Sequence, residues 1–271
     1  TGGTKMSNIK IEQLSFGFDT QNHLLFDQAD LVIDTQWKLG LIGRNGRGKT
    51  TLLKLLQDQL PYSGTITHQQ AFVYFPQPVA DPQQLTYDTL QDLCEFEQWQ
   101  IERELNLLQL DPDVLWRPFE TLSGGEQTKV LLALLFIDEE HFPLIDEPTN
   151  HLDITARAHV AAYLKRKKGF IVVSHDRHFV DEVVDHILSI EKSRLVIYQG
   201  NFSVYEEQKQ RQDQFEQEQN VKLKKEIGRL KQTAAEKEEW SRGRERDKLG
   251  SPTKKGSGEV YDTGAIVARA A

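Results

Sequence analysis

The chain has 271 residues, 27% of them charged and 38% hydrophobic, and a net charge of −8. This composition is ordinary for a globular protein, excludes a disordered chain and argues against a generic nucleic-acid-binding protein. Cys94 is the only cysteine, which excludes an internal disulfide, and the longest apolar run, Val130 to Ile137, is too short for a bilayer, so we expect a cytoplasmic protein without a membrane span.

Short β-rich runs alternate with helical patterns up to about residue 200. The predicted strands contain residues 9–11, 31–33, 39–42, 73–75, 144–145, 171–173 and 195–197. Uninterrupted apolar runs such as Ile171 to Val173 suit strands that are buried on both faces of a parallel sheet. The alternation of strands and helices predicts an α/β domain. We place it at residues 6–200, because Thr1 to Lys5 resemble an expression-vector remnant.

Two helical segments are predicted in addition to the sheet. Loosely periodic apolar residues from Thr86 to Leu110 indicate a small helical subdomain, which we place at about residues 84–140. After residue 200 the composition changes to Gln, Glu, Lys and Arg, and a narrow apolar seam predicts one long helix of a coiled-coil hairpin. The seam residues are Leu223, Ile227, Leu230 and Ala234. A turn at 250–258 and a returning helix near Ile266 complete the predicted linker, residues 201–271.

The segment from Gly43 to Thr50, GRNGRGKT, fits a phosphate-binding loop between a predicted strand and a predicted helix. Its glycines allow backbone amides to approach phosphates, Lys49 supplies a cation to the β- and γ-phosphate oxygens, and the Thr50 hydroxyl suits Mg²⁺. The pattern by itself also fits a glycine-rich turn. The nucleotide-binding residues predicted here are Gly43, Asn45, Gly46, Gly48, Lys49, Thr50 and Thr51.

A second motif is the short strand Phe142 to Ile145, which is followed by two adjacent acids. In phosphate-loop enzymes an acid at a strand end holds Mg²⁺, which assigns Asp146 to the metal. Glu147 is then the residue that polarises the attacking water. The alternative is that these acids cap the helix that follows.

The hexapeptide Leu122 to Gln127, LSGGEQ, resembles the signature motif of the ATP-binding-cassette ATPases. The resemblance implies an ABC-type nucleotide-binding domain with a mixed sheet and a helical subdomain, and ATP and Mg²⁺ as cofactors. An apolar helix follows the motif, so its amides suit an anion, although an ordinary helix cap has the same pattern. The signature residues assigned to nucleotide binding are Ser123, Gly124, Gly125 and Glu126.

Further positions match the same superfamily in order along the chain. Gln77 matches the glutamine-loop residue, which contributes to catalysis and to the metal, and Asn150 to Asp153 match the D-loop. His175 matches the switch histidine that contacts the γ-phosphate, with a core histidine as the alternative. Phe18 occupies the place of the aromatic residue that stacks on adenine, but it also suits the core.

Each motif occurs once in this chain. In the superfamily that it resembles, the signature motif of one domain faces the ATP held by the phosphate loop of another. The resemblance therefore implies that a single cassette binds nucleotide, whereas turnover needs a second cassette that supplies the missing γ-phosphate contacts.

The stretch Glu147 to Asp153, EPTNHLD, resembles the ABC-F subgroup, as does the charged helix that follows the cassette. Such proteins carry two cassettes joined by a helical hairpin that enters the ribosome near the transfer-RNA exit site. We expect the first cassette and most of the linker here, without the second cassette. Residues Trp37 to Gly40 and Trp240 to Arg244 are most similar to antibiotic-resistance members that protect ribosomes.

The linker differs in charge from the rest of the chain. From Lys222 to Lys255 there are twelve Lys or Arg and six Asp or Glu, a local charge of +6, which leaves −14 elsewhere. Cations and an aromatic ring near the predicted hairpin tip suit contact with ribosomal or transfer RNA, although a solvated helix end is the alternative. The tip residues are Trp240, Arg242, Arg244, Arg246 and Lys248.

The main alternative function is the ATP-binding subunit of a membrane transporter. Such a subunit needs a helical subdomain large enough to grip a permease, whereas only 44 residues separate Gln77 from Leu122. This spacing favours the ABC-F interpretation.

Overall fold

A computed structural model describes residues 8–18, 24–44, 46–138, 140–191 and 194–249, without the side chains of 241 and 243–249. The chain divides into two compact units, one ending at Gln210 and the other beginning at Arg211. The predicted boundary at residue 200 falls just before the last helix, and the first unit also includes the opening residues of that helix.

The first unit contains two sheets, and its described strands are β1 (Asn8–Phe16), β2 (Phe26–Asp34), β3 (Lys38–Ile42), β4 (Ser63–Thr67), β5 (Ala71–Phe75), β6 (His141–Asp146), β7 (Phe170–Val173), β8 (His186–Glu191) and β9 (Arg194–Gln199). One sheet is antiparallel, in the order β2-β1-β4. The other has the order β5-β6-β7-β3-β8-β9 and is parallel except between β8 and β9. The mixed α/β architecture expected from the sequence is confirmed.

The helices of the described residues are α1 (Lys49–Leu56), α2 (Thr86–Leu93), α3 (Gln98–Leu107), α4 (Gly124–Leu134), α5 (Ile154–Arg166), α6 (Arg177–Val183) and α7 (Phe202–Leu249), with 3₁₀ turns at Pro112–Trp116 and Phe119–Thr121. Helices α2 to α4 and both 3₁₀ turns lie between β5 and β6, in the region where the sequence predicts a helical subdomain.

Strand β7 shows how the central sheet is buried on both faces. Phe170 and Val172 belong to the apolar cluster that includes α3, α4 and α5, whereas Ile171 and Val173 pack into the cluster formed with α1 and the antiparallel sheet. All four residues are buried, as the alternation of side chains along a strand requires when both faces are covered.

The strand predictions omitted β4 and β8. Strand β8 lies between β3 and β9 in the larger sheet, and Ser189 interrupts its apolar residues. In β4 four of the five residues are exposed and only Ile66 is partly buried, because the strand lies at the edge of the antiparallel sheet. Its residues therefore lack the apolar alternation that marks a half-buried strand.

A buried carboxylate joins the helical region to α5. Glu104 on α3 is 1% exposed; it accepts a hydrogen bond of 2.6 Å from Tyr163 and is paired with Lys167 and Arg103. Burial acts to raise the pKa of Glu104, but the bonds from Lys167 and Tyr163 outweigh it and hold the pKa below its usual value. Glu104 is therefore ionised and compensated in the folded protein.

The opening residues of α7 are attached to α6 and β8 within the first unit. Asp181 of α6 accepts a hydrogen bond of 2.6 Å from the backbone amide of Ser203, and Arg177 pairs with Glu206 at 3.1 Å. Lys209 pairs with Glu191 at the end of β8. The first turns of helix α7 are therefore held against α6 and the end of β8, both of which follow His175 in the chain.

The second unit is described as far as Leu249 and is helical throughout that range. The apolar seam that the sequence predicts is exposed there, with Leu223 53%, Ile227 51% and Leu230 63% accessible. The turn predicted at 250–258 and the returning helix near Ile266 lie outside the described residues.

Candidate functional site

A cavity of about 680 Å³ opens at the carboxyl ends of β5, β6 and β7, the edge at which open α/β sheets bind ligands. The predicted site residues that line it are Phe18, Gly46, Gly48, Lys49, Thr50, Thr51, Asp146, Glu147 and His175. The tertiary structure thus brings five of the predicted phosphate-loop residues, the acid pair and the predicted switch histidine to one cavity, whereas Gly43 does not line it.

The phosphate loop leads from β3 into α1. Gly46 and Gly48 have φ of +76° and +95°, a left-handed conformation that glycine adopts without steric cost. At Gly48 a Cβ atom would also lie only 2.6 Å from Leu25 Cδ2. The Lys49 ammonium donates a 2.9 Å hydrogen bond to the Gly43 carbonyl, so it lies across the loop. Asn45 lies outside the described residues.

Asp146 ends β6 and faces the phosphate loop. Its Oδ2 accepts hydrogen bonds from the Thr50 hydroxyl at 3.3 Å and from the Tyr74 hydroxyl at 2.8 Å. Hydroxyl and carboxylate oxygens are the ligands that Mg²⁺ prefers, and Mg²⁺ usually binds through one or two of them together with substrate phosphates. Thr50 and Asp146 therefore fit the metal that the sequence predicts.

Tyr74 is a site residue that the sequence reasoning missed. It lies on β5, lines the cavity and donates its hydrogen bond to the predicted metal-holding acid. Burial and the neighbouring Asp146 carboxylate raise the pKa of Tyr74 well above its usual value, so the phenol stays protonated and remains a donor. Its position in the sequence could have indicated this role, because Tyr74 lies on a predicted strand, three residues before the predicted glutamine-loop residue.

Glu147 is held in an unusual backbone conformation beside His175. Its φ is +53°, and its amide donates a 2.8 Å hydrogen bond to the Val173 carbonyl at the end of β7. The side chain meets His175 twice, through the imidazole Nε2 at 3.4 Å and the backbone amide at 3.4 Å. The His175 side chain is 65% exposed, so it is not a core histidine.

The signature residues do not line this cavity. Ser123 caps α4, its Oγ accepting from the Glu126 amide at 3.2 Å while Glu126 accepts from the Ser123 amide at 2.7 Å. The hydrogen bond from the Ser123 backbone is the main cause that lowers the pKa of Glu126. Gly124 packs closely on His151, since an added Cβ would lie 3.2 Å from His151 Cβ. Of this helix, Thr128 reaches the cavity.

Gln77 is also separate from the cavity in this structure. It lines a neighbouring hollow of about 340 Å³ with Lys54 and Gln57, among others. Its buried Oε1 has no hydrogen-bond partner within the described part of the chain. The assignment of Gln77 to the metal and to catalysis stays a prediction.

Phe18 lines the same cavity as the phosphate loop. Its side chain is 41% exposed and packs edge-on against Phe16, with 5.1 Å between the ring centroids. A partly exposed ring that lines a cavity is suited to stacking on a base, and the adenine-stacking role of Phe18 stays a prediction.

Comparison with known proteins is in accord with this geometry. The family model described as "ABC transporter" matches residues 26–150. The chain is 32% identical over 214 residues to "ABC transporter F family member 5" of Arabidopsis thaliana, covering 76% of this chain and 30% of that protein. It is 33% identical over 217 residues to "Erythromycin resistance ATP-binding protein MsrA" of Staphylococcus epidermidis, covering 77% and 40%.

Among solved structures, a bacterial Atm1-family ABC exporter with ATP bound has the same fold, with a TM-score of 0.59 at 17% identity over 74% of this chain and 40% of that one. The fold and the site thus define an ATP-binding-cassette domain. The chain belongs to the ABC-F family within that superfamily. It spans 30% to 40% of the length of the two curated relatives named.

No helix in the described ranges, α7 included, has the combination of length and apolar character that a membrane crossing requires.

Proposed function

We propose that this chain is the ATP-binding and hydrolysing cassette of a ribosome-associated ABC-F protein, which acts in translation or in protecting ribosomes from antibiotics. The observation that carries the ATPase part is the meeting of Lys49, Asp146 and Glu147 in one cavity at the carboxyl ends of the strands. Phosphoryl transfer depends on such groups being prepositioned around phosphates and metal.

Each residue has a role that its position supports. Backbone amides of the loop from Gly43 to Thr50 and the Lys49 ammonium bind the phosphates, while Thr50 and Asp146 hold Mg²⁺. Bound Mg²⁺ supplies charge neutralisation at the β- and γ-phosphates. Glu147 orients the attacking water, and His175 holds the Glu147 carboxylate in place.

Turnover in this proposal needs a second cassette. The motif from Ser123 to Glu126 lies outside the cavity that contains the phosphate loop of the same chain, which supports a role at the nucleotide of a partner cassette. A single cassette then binds ATP but lacks part of the electrostatic stabilisation of the transition state, and losing one donor of this kind costs about 3 kcal/mol in related sites.

The ribosome part of the proposal rests on the helix α7 and on the relatives. One relative is named as an erythromycin-resistance protein. That name describes the relative, and its similarity to this chain supports the proposal. The predicted tip residues Trp240 and Arg242 are exposed, and Arg242 pairs with Glu238 one helical turn earlier. A positive segment on a negative chain orients approach to RNA, and such a protein would act in the cytoplasm.

A transporter subunit is the second candidate function. The observation in its favour is an exposed aromatic surface on the helical region, where Trp116 is 51% exposed and stacks on Tyr87 at 5.3 Å. Exposed aromatic residues of this kind suit a protein interface. A permease bound to this surface would protect Trp116 from solvent.

Co-sedimentation of the full-length protein with ribosomes tests the proposal. The Glu147→Gln variant, which we expect to retain ATP, should pellet with ribosomes in ATP and should stay in the supernatant in ADP. If the variant stays in the supernatant in ATP as it does in ADP, the ribosome role is rejected and the transporter function becomes the better candidate.

A further inference from the structure

We infer that Tyr74 is a positioning residue for Asp146: its hydroxyl fixes one carboxylate oxygen and so orients the other towards the magnesium ion of the bound nucleotide. The contact is a 2.8 Å hydrogen bond from the phenol to Asp146 Oδ2. Both hydrogen bonds that the Asp146 carboxylate accepts within the described structure, from Tyr74 and from Thr50, end on Oδ2. This inference rests on the proposed ATP site.

The register of the sheet explains why a tyrosine at position 74 reaches this acid. Tyr74 of β5 pairs with Leu144 of the parallel strand β6. Asp146 lies two positions beyond Leu144, and because side chains alternate along a strand, it projects to the same face as Leu144 and Tyr74. A long side chain with a polar tip spans this diagonal, whereas a short hydroxyl residue at position 74 would not.

The chemistry of the acid explains why such a contact matters. The terminal torsion of an aspartate is broad, so an unsupported carboxylate turns over a wide range of angles relative to a metal. A hydrogen bond to one oxygen narrows that range and so holds the plane of the carboxylate, and partners of this kind are needed for full metal affinity although they do not touch the metal. Tyr74 lines the same cavity as Thr50 and Asp146, so its hydroxyl is placed for this role.

The decisive variant is Tyr74→Phe, which removes one oxygen atom and keeps the ring. Binding of a fluorescent ATP analogue to the full chain is measured in EDTA and across a magnesium titration. We expect binding in EDTA to be unchanged and the magnesium concentration at half-maximal enhancement to rise by about tenfold, the lower end for lost supporting contacts of metal ligands.

The chain offers a matched control in Tyr62, whose hydroxyl donates a 2.9 Å hydrogen bond to Asp58 outside the cavity. Tyr62→Phe loses an equivalent Tyr–Asp bond and should leave the magnesium titration at its wild-type position. In an Asp146→Asn background, Tyr74→Phe should add no further change, because the acid that it orients has gone.

Three results would overturn the inference. A wild-type magnesium titration for Tyr74→Phe would show that the hydroxyl has no positioning role. Weaker binding in EDTA would assign Tyr74 to nucleotide packing instead, and an additive effect in the Asp146→Asn background would assign it to general folding. Failure of the wild-type chain to bind the nucleotide at all would remove the proposed function, and this inference with it.

Discussion

Glu147 and His175 make two contacts at the cavity: Glu147 Oε1 lies 3.4 Å from His175 Nε2, and the backbone amide of His175 donates a 3.4 Å hydrogen bond to Glu147 Oε2. They follow the ends of β6 and β7, which are neighbours in the sheet. Because both residues follow adjacent parallel strands at the same edge, we expect a bound phosphate that displaces His175 to move the Glu147 carboxylate as well.

Glu147→Gln should retain ATP binding and lose turnover, because the amide keeps the shape of the side chain but is not a base. We expect steady-state phosphate release by the full-length protein to fall about 100-fold or more, the range for a lost general base. Glu140→Gln, at an exposed acid just before β6, is the control and should turn over at the wild-type rate. Wild-type turnover in Glu147→Gln would reassign the catalytic base.

Gly48→Ala should weaken nucleotide binding more than Gly46→Ala. Both positions have positive φ, and a side chain in that conformation costs about 1–3 kcal/mol. Only at Gly48 does the added methyl group also meet Leu25, which lines the cavity; at Gly46 no atom of the described residues, apart from the chain neighbours, lies within 4 Å of an added Cβ.

Thermal unfolding measures the loss of stability in each glycine variant, and binding of the ATP analogue measures the loss of nucleotide affinity. Gly228→Ala is the control, because this residue lies inside α7 with open space around it, and the substitution should stabilise the helix by about 0.5–1 kcal/mol. Equal nucleotide affinities for Gly46→Ala and Gly48→Ala would mean that the Leu25 contact is unimportant.

Glu104→Gln should lower the free energy of unfolding by about 3 kcal/mol, because Lys167 and Arg103 would lose the charge that compensates them. The pKa of Glu104 is lowered in the folded state, so its contribution is present above the unfolded-state pKa and is lost as the pH falls through the folded-state value. Denaturant unfolding from neutral pH down to acid pH measures this.

The difference between wild type and Glu104→Gln should therefore narrow as the solution is acidified. Glu120→Gln, at an exposed acid of the same helical region, should unfold like the wild type at every pH. A difference that stays constant down to acid pH would contradict ionisation of Glu104 as the cause.

Replacing Arg242, Arg244 and Arg246 by Ala should weaken ribosome binding of the full-length Glu147→Gln protein in ATP. If these residues meet RNA phosphates, the dependence of affinity on salt should also become shallower, because fewer counterions are released on binding. Co-sedimentation at several salt concentrations measures both effects.

The matched control replaces Lys222, Lys224 and Lys225 by Ala, which removes the same charge from an earlier part of α7. This control should bind ribosomes more tightly than the Arg variant. Equal losses in both triple variants would indicate general charge attraction rather than a tip that contacts RNA.

Local spacing in the sequence was sufficient to predict the class of fold and the phosphate loop. The pattern from Gly43 to Thr50 specifies a strand, a turn with positive φ and a helix, all through interactions between near neighbours in the chain. The acid pair at the end of an apolar run was predicted for the same reason.

What only the tertiary structure decided depends on contacts between distant residues. Tyr74 meets Asp146 across 72 positions, and Glu104 meets Lys167 across 63, and neither pair has a local pattern. No local pattern indicated that Gln77 would lie outside the cavity either. Parallel strands pair only through long connections, so which side chains share a face is determined by sheet order and register, and these depend on how the whole core packs.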